Sequence, residues 1–381
     1  MRGIPSSEPR YILGLNSGTS ADAVDLALIR VTGEGQERVV EKLSAAAAQF
    51  PEKLQQAIHM ASAWQLADVA RFDYALGAFF GRCAATFLER IDFPIDHLTC
   101  VASHGQTVYH HSGEPMDGSM QLGDLSVLAH TVGADVVGNF RTADLAGGGQ
   151  GAPISPFADW VLHGGSGVER VILNLGGICN ITLLPKSGPP TAWDSGPANG
   201  PLDVLMRAEA NQEMDLGGAL AASGTVLGDL LATLKKDAYF EQAAPKSTGL
   251  EKFGAALAQK TRNLAPQAEL CDILATLAEL VGWSIGESLK AAGWQGGAVY
   301  VAGGGLHNSA LQAALNRHLG ATRVHSYAEL GWEPDAREAV AFALLGDAFL
   351  LQEPSTWLST TGCRQQCVLG QWSPGPLLDP T

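Results

Sequence analysis

The sequence predicts a duplicated α/β protein, two halves of mixed strands and helices built to one plan. Three observations predict it. A strand–turn–strand unit occurs once in each half. Each half then has a strand ending in a polar or glycine turn, and each closes on another short β-like run. The length of 381 residues agrees, since domains usually take ~100–200 residues each. The halves are read as residues 1–165, joined by the C-terminal stretch 353–381, and residues 166–352.

Tyr11 to Leu15 is an apolar run that reaches the polar turn Asn16-Ser17-Gly18-Thr19-Ser20. Beyond the turn Val24, Leu26 and Leu28 alternate with smaller or polar neighbours, as in a half-buried strand. Leu98 to Ala102 runs into Ser103-His104-Gly105-Gln106-Thr107, and Asp135 to Val137 is the short run that follows. Phe157 to Leu162 reads as a helix linking the halves. Val171 to Leu175, Gly176-Gly177 and Ile178 to Leu184 then repeat the opening unit. Leu277, Leu280, Val281, Ile285 and Leu289 form a helical stripe after Ile273. Ala298 to Ala302 enters Gly303-Gly304-Gly305, and Asn308 caps a helix carrying Leu311, Leu315 and Leu319, with Gly320 just past its end. Thr322 to His325 is the last short run, and Glu338 to Leu351 is a largely buried helix.

Composition narrows the function. Apolar residues make up 46% and charged residues 17%, which excludes a disordered chain. The formal charge is 24 − 39 = −15, so nucleic acid and anionic membrane are poor partners. Ala339 to Leu351 is the longest apolar stretch; Asp347 breaks it, and it is too short to span a bilayer. Met1-Arg2-Gly3-Ile4-Pro5 has no apolar signal core, so a cytoplasmic location is expected. The six cysteines are scattered, and Cys363-x3-Cys367 lacks a second pair at zinc spacing.

The chemistry-bearing residues cluster at the turns. Asn16 to Asp22 follows a strand and can aim N–H groups and hydroxyls at a phosphate, or be a plain polar turn. Asp22 and Asp25 are candidate Mg²⁺ ligands, direct or through water. Gly176-Gly177 is a second such turn, and the two together would clamp a polyphosphate in a cleft, with Gly303 to Gly305 against a flat nucleoside. Lys246-Ser247-Thr248 ends like a P-loop, but Phe240 and Pro245 stand at the two glycine positions. Gly147-x-Gly149-x2-Ala152 matches the loose dinucleotide pattern but does not directly join a strand to a helix. Asp194, before Ser195-Gly196-Pro197, is either a general base at a strand end or a turn cap. His104 is a ligand or a structural histidine; Glu338 faces substrate or merely favours a helix start; Arg141 pairs with a substrate anion or with Asp144.

At these motifs the chain resembles the anhydro-N-acetylmuramic acid kinases. The resemblance is carried by Ser17-Gly18-Thr19-Ser20-x-Asp22-x2-Asp25, Ser103 to Thr107, Phe140-Arg141-x2-Asp144 with Gly148 to Pro153, and Asn174 to Asn180. Asp194-Ser195-Gly196-Pro197-x-Asn199, Pro245 to Gly249, Gly303-Gly304-Gly305-x-His307-Asn308 and Arg337-Glu338-Ala339-x-Ala341-Phe342 complete it. It implies a sugar kinase/Hsp70/actin-type fold with a central nucleotide cleft. It also implies ATP- and Mg²⁺-dependent conversion of 1,6-anhydro-N-acetylmuramic acid and water to N-acetylmuramic acid 6-phosphate. By position it makes Asp194 catalytic. It assigns ATP to Ser17, Gly18, Thr19, Ser20, Asp22, Asp25, Gly176, Gly177, Asn180, Gly303, Gly304, Gly305 and Asn308, with Asp22 on the metal. The sugar falls to His104, Gln106, Thr107, Arg141 and Glu338. A homodimer is a further expectation.

Members usually carry Gly, Asp, Gly and Arg where this chain has Ala23, Asn139, Ala198 and Leu250. Two rival readings follow: a kinase for another 1,6-anhydrosugar such as levoglucosan, or a catalytically silent sugar- or nucleotide-binding relative.

Overall fold

The computed structural model describes residues 5–18, 21–111, 113, 116–320 and 323–376. Their contacts divide the chain into two units, Met1–Gly164 with Asp335–Thr381, and Gly165–Pro334.

The first unit is built on β1 (Arg10–Ser17), β2 (Ala23–Thr32), β3 (Val39–Gln49), β4 (Cys100–His111), β5 (Gly118–Leu122) and β6 (Val136–Gly138). The main strand order is β3-β2-β1-β4-β6, with the short strand Gln371–Ser373 outside β6 and β5 paired to β4. The β1–β2 and β2–β3 pairs are antiparallel, and β1–β4 and β4–β6 are parallel. The second unit uses β7 (Arg170–Leu175), β8 (Ile178–Leu184), β9 (Thr191–Pro197), β10 (Ala298–Ala302) and β11 (Val324–Ser326). Its order is β9-β8-β7-β10-β11, with β7–β8 and β8–β9 antiparallel and β7–β10 and β10–β11 parallel. Both five-strand patterns are therefore the same, and the duplication read from the turns is present in the sheets. Thr322 lies outside the described residues.

In both sheets the parallel strands end on one edge, and their loops gather there. This is where open α/β sheets bind ligands. β1 is buried on both faces, with Ile12, Leu13 and Leu15 at 1% exposure or less. The helix Leu66–Arg90 packs over one face and the helix Arg337–Leu350 over the other. The second approach is close: a Cβ on Gly14 would collide with the Ala339 carbonyl oxygen, and one on Gly346 would meet the Ala102 side chain at 2.6 Å.

The helix Arg337–Leu350 corrects one expectation. Chain order assigned it to the second half, yet it belongs to the first unit. The reason is electrostatic as well as steric. Asp347, fully buried, accepts from Arg10 Nε at 2.5 Å and Arg38 Nε at 2.7 Å, and Arg38 also reaches Glu353 at 2.5 Å. Arg337 pairs with Asp159 at 2.6 Å, on the expected short helix, here Pro156–His163. In the second unit the helices Leu270–Ala291 and Ser309–Leu319 pack against each other, with Gly282 against the Ala314 backbone. Asn308 caps the latter helix as expected, its Oδ1 accepting from the N–H groups of Ala310 and Leu311 at 3.1 and 3.2 Å. Among the described residues no single helix is long and apolar enough to cross a membrane.

Candidate active site

In the second unit the chemistry centres on Asp194. Asn180 on β8 faces Asp194 on β9, whereas the next pair is Cys179 with Gly196. Ser195 is thus the extra residue of a β-bulge, a device that re-aims a neighbouring side chain. Asp194 is 5% exposed. One oxygen accepts from the Asn180 amide and the other from the Thr248 N–H at 2.9 Å. Its backbone is clamped too, by its N–H on Lys246 O at 2.9 Å and by Tyr239 Oη on its carbonyl at 2.8 Å. Lys246 is itself held, donating to Tyr239 O at 2.9 Å with its ammonium 4.4 Å from the centre of that ring. Burial raises the Asp194 pKa to about 6, against the opposing hydrogen bonds of Thr248 and Asn180. Among the described residues its two oxygens are held by Asn180 and Thr248 rather than by the turn that follows Asp194.

The glycine turns of this unit come together around Asn199. Its amide nitrogen donates to Leu175 O at 3.3 Å and Gly176 O at 3.2 Å, and its Oδ1 lies 3.5 Å from Asn308 Nδ2. Ala198 and Gly200 both donate their N–H to Gly177 O at 3.0 Å. Gly303, at φ +81°, and Gly305 lie against Leu175, where any side chain would collide; nothing lies within 4 Å of a Cβ placed on Gly304. Gly176, Gly177, Gly303, Gly304, Gly305 and Asn308 therefore form one loop cluster. Asn180 does not join it, because its amide is spent on Asp194. Leu250 covers Gly177 and Gly200. Asn199 and Thr248 were visible in the motifs but not singled out, since only the fold turns one onto a glycine turn and the other onto a carboxylate.

In the first unit Ser17 ends β1, buried, its Oγ donating to Gln106 Oε1 at 2.5 Å. The Gln106 amide nitrogen reaches Gly18 O at 3.3 Å. Gln106, expected on the sugar, is thus engaged with the Ser17–Gly18 turn. Thr19 and Ser20 lie outside the described residues. Asp22 is exposed and opens onto β2. Asp25 sits opposite Asn16, and burial, then the Glu338, Asp22 and Asp335 carboxylates, raise its pKa to about 7.

Arg141 follows β6 and donates to Gly151 O at 2.8 Å and to His104 Nε2 at 3.0 Å. An accepting Nε2 leaves the His104 proton on Nδ1. Burial, then Arg141, keep this imidazole neutral, and it stacks 4.5 Å from the Phe342 ring. Thr107 accepts from Gln121 at 3.3 Å. The pairing of Arg141 with Asp144 does not occur: Asp144 takes the Gly151 N–H at 2.7 Å and Thr361 Oγ1 at 2.6 Å. Among the described residues no carboxylate pairs directly with Arg141, whose pKa burial lowers to about 10. Glu338 and Phe342 lie four residues apart, hence on one helix face. Asn139, at φ +54°, is occupied with Thr142 and Gln371.

Among the described residues no three His, Cys, Asp or Glu side chains gather as a metal cage. Mg²⁺ held through phosphates needs only one or two carboxylates. Asp22, exposed at the start of β2, is one such carboxylate.

The model of the family described as "Anhydro-N-acetylmuramic acid kinase" matches residues 10–375. The Gloeobacter violaceus protein named anhydro-N-acetylmuramic acid kinase is 36% identical, over 96% of this chain and 99% of its own. The Chromohalobacter salexigens protein of the same name is 38% identical over 95% and 98%. Among solved structures, the activator of the 2-hydroxyisocaproyl-CoA dehydratase from Clostridium difficile with bound ADPNP aligns at a TM-score of 0.44 and 11% identity, covering 90% and 96% of the two chains.

Proposed function

From a chain that belongs to the anhydro-N-acetylmuramic acid kinase family, we propose that the activity is ATP-dependent conversion of 1,6-anhydro-N-acetylmuramic acid and water to N-acetylmuramic acid 6-phosphate, a step of peptidoglycan recycling. The fold is of the sugar kinase/Hsp70/actin type, and the enzyme is a phosphotransferase.

The observation that carries the mechanism is Asp194: buried, held on both carboxylate oxygens, and shifted to about 6. Asp194 takes a proton from water as that water attacks the anomeric carbon. The C1–O6 bond breaks, its electron pair stays on O6, and O6 receives the γ-phosphoryl group as ADP leaves. Asn180 and the Thr248 N–H keep the carboxylate in one orientation, so the base is set before substrate arrives. Arg141 is a buried cation without a direct carboxylate partner among the described residues, which suits the lactyl carboxylate of a muramic sugar. A neutral His104 holds that guanidinium without competing for the anion.

The candidate ATP-binding residues are Ser17, Gly18, Asp22, Asp25, Gly176, Gly177, Gly303 to Gly305 and Asn308. Asp22 would hold Mg²⁺, which neutralises phosphoryl charge. The protein acts in the cytoplasm.

Glu338 is assigned to the sugar. Glu338→Ala is expected to lower kcat/KM for the anhydrosugar about 10–100-fold, the worth of a hydrogen bond to a charged group, with nucleotide affinity held within about threefold. Steady-state kinetics beside nucleotide titration read both. Collapse of nucleotide binding, or unchanged turnover, overturns the assignment.

A further inference from the structure

Asn16 is 3% exposed and stands one residue before Ser17. On the sheet it is paired across from Asp25, so both side chains leave on the same face. Its Nδ2 donates to Glu338 Oε2 at 2.6 Å, and its side chain also hydrogen-bonds Asp25. One amide thus stands at the meeting of β1, β2 and the first turn of the helix Arg337–Leu350. An amide nitrogen offers two donors, one for each carboxylate. Placed between the two acids, the amide offsets their mutual repulsion and gives the Glu338 carboxylate a fixed donor. A leucine would fill the same space but offer no donor.

We infer that Asn16 is a positioning residue for the sugar side of the reaction, its amide fixing the Glu338 carboxylate across β1, β2 and the helix Arg337–Leu350. The inference rests on the assignment of Glu338 to the sugar. Asn16 acts through Glu338, the carboxylate that its amide holds.

A double-mutant cycle tests it. Asn16→Leu is expected to lower kcat/KM for 1,6-anhydro-N-acetylmuramic acid about tenfold, about 1.4 kcal/mol. In the Glu338→Ala background the same change is expected to cost less than about threefold, because the Glu338 carboxylate is gone and only the contact with Asp25 is lost. If Asn16→Leu does not fold, Asn16→Ala removes the donor without adding a charge and should give the same loss, again reduced in the Glu338→Ala background. An unchanged Glu338→Ala enzyme overturns the reading of Glu338. A damaged Glu338→Ala enzyme with a full-strength Asn16→Leu enzyme overturns the positioning role alone. So does an Asn16→Leu loss that is equal in both backgrounds.

Discussion

Asp194→Asn is expected to fold, to bind ATP, and to lose turnover by roughly 10²–10⁴-fold, the usual contribution of a general base. That is about 3–5 kcal/mol of transition-state stabilisation. The amide keeps the shape of the carboxylate and leaves the bulge at Ser195 undisturbed, but it cannot accept the proton. The wild-type pH profile should carry the same signature. The base must be ionised, so kcat/KM should fall as pH drops through about 6 and level off above it. An Asp194→Asn enzyme with near wild-type kcat would place the base elsewhere, with Glu338 the next residue to test.

Asp347→Ala should be the most damaging change outside the site. It removes the carboxylate that two buried guanidiniums share, leaving Arg10 and Arg38 without it in a dry environment. Breaking a buried pair from one side costs about 3–5 kcal/mol, roughly 6–20 °C of melting temperature for a unit of this size. Because Asp347 and Glu338 share a helix, activity should fall with stability. Thermal and urea unfolding measure it, and a loss below about 1 kcal/mol would mean that the triad does not hold this helix on β1.

Much of this was legible in the sequence for a definite reason. The repeated strand–turn–strand units have apolar runs and glycine turns that mean the same thing locally and globally, so their duplication survives into two sheets of matching order. Strand β3 was not anticipated. Its Ala45 to Ala48 run has no β-branched or aromatic signal, and it pairs as a strand because β2 offers it a ladder. The helix Arg337–Leu350 was legible as a helix but not in its unit, because the arginines that answer Asp347 stand more than 300 residues away in the chain. Asp194 and Arg141 were each visible as a residue type in its own motif. What they touch was not. Asn180 on Asp194, Gln106 on the Ser17–Gly18 turn and Asn16 on Glu338 depend on register and on elements far apart in sequence.

The central claim is that water opens the 1,6-bridge at C1 while O6 stays with the sugar and takes the phosphoryl group. A single turnover in ¹⁸O-water with ATP and 1,6-anhydro-N-acetylmuramic acid tests it, with product analysed before the C1 hydroxyl exchanges with solvent. The product is expected to carry ¹⁸O at the C1 hydroxyl and ¹⁶O in the bridge between C6 and phosphorus. Label in that bridge, or none at C1, would contradict the mechanism.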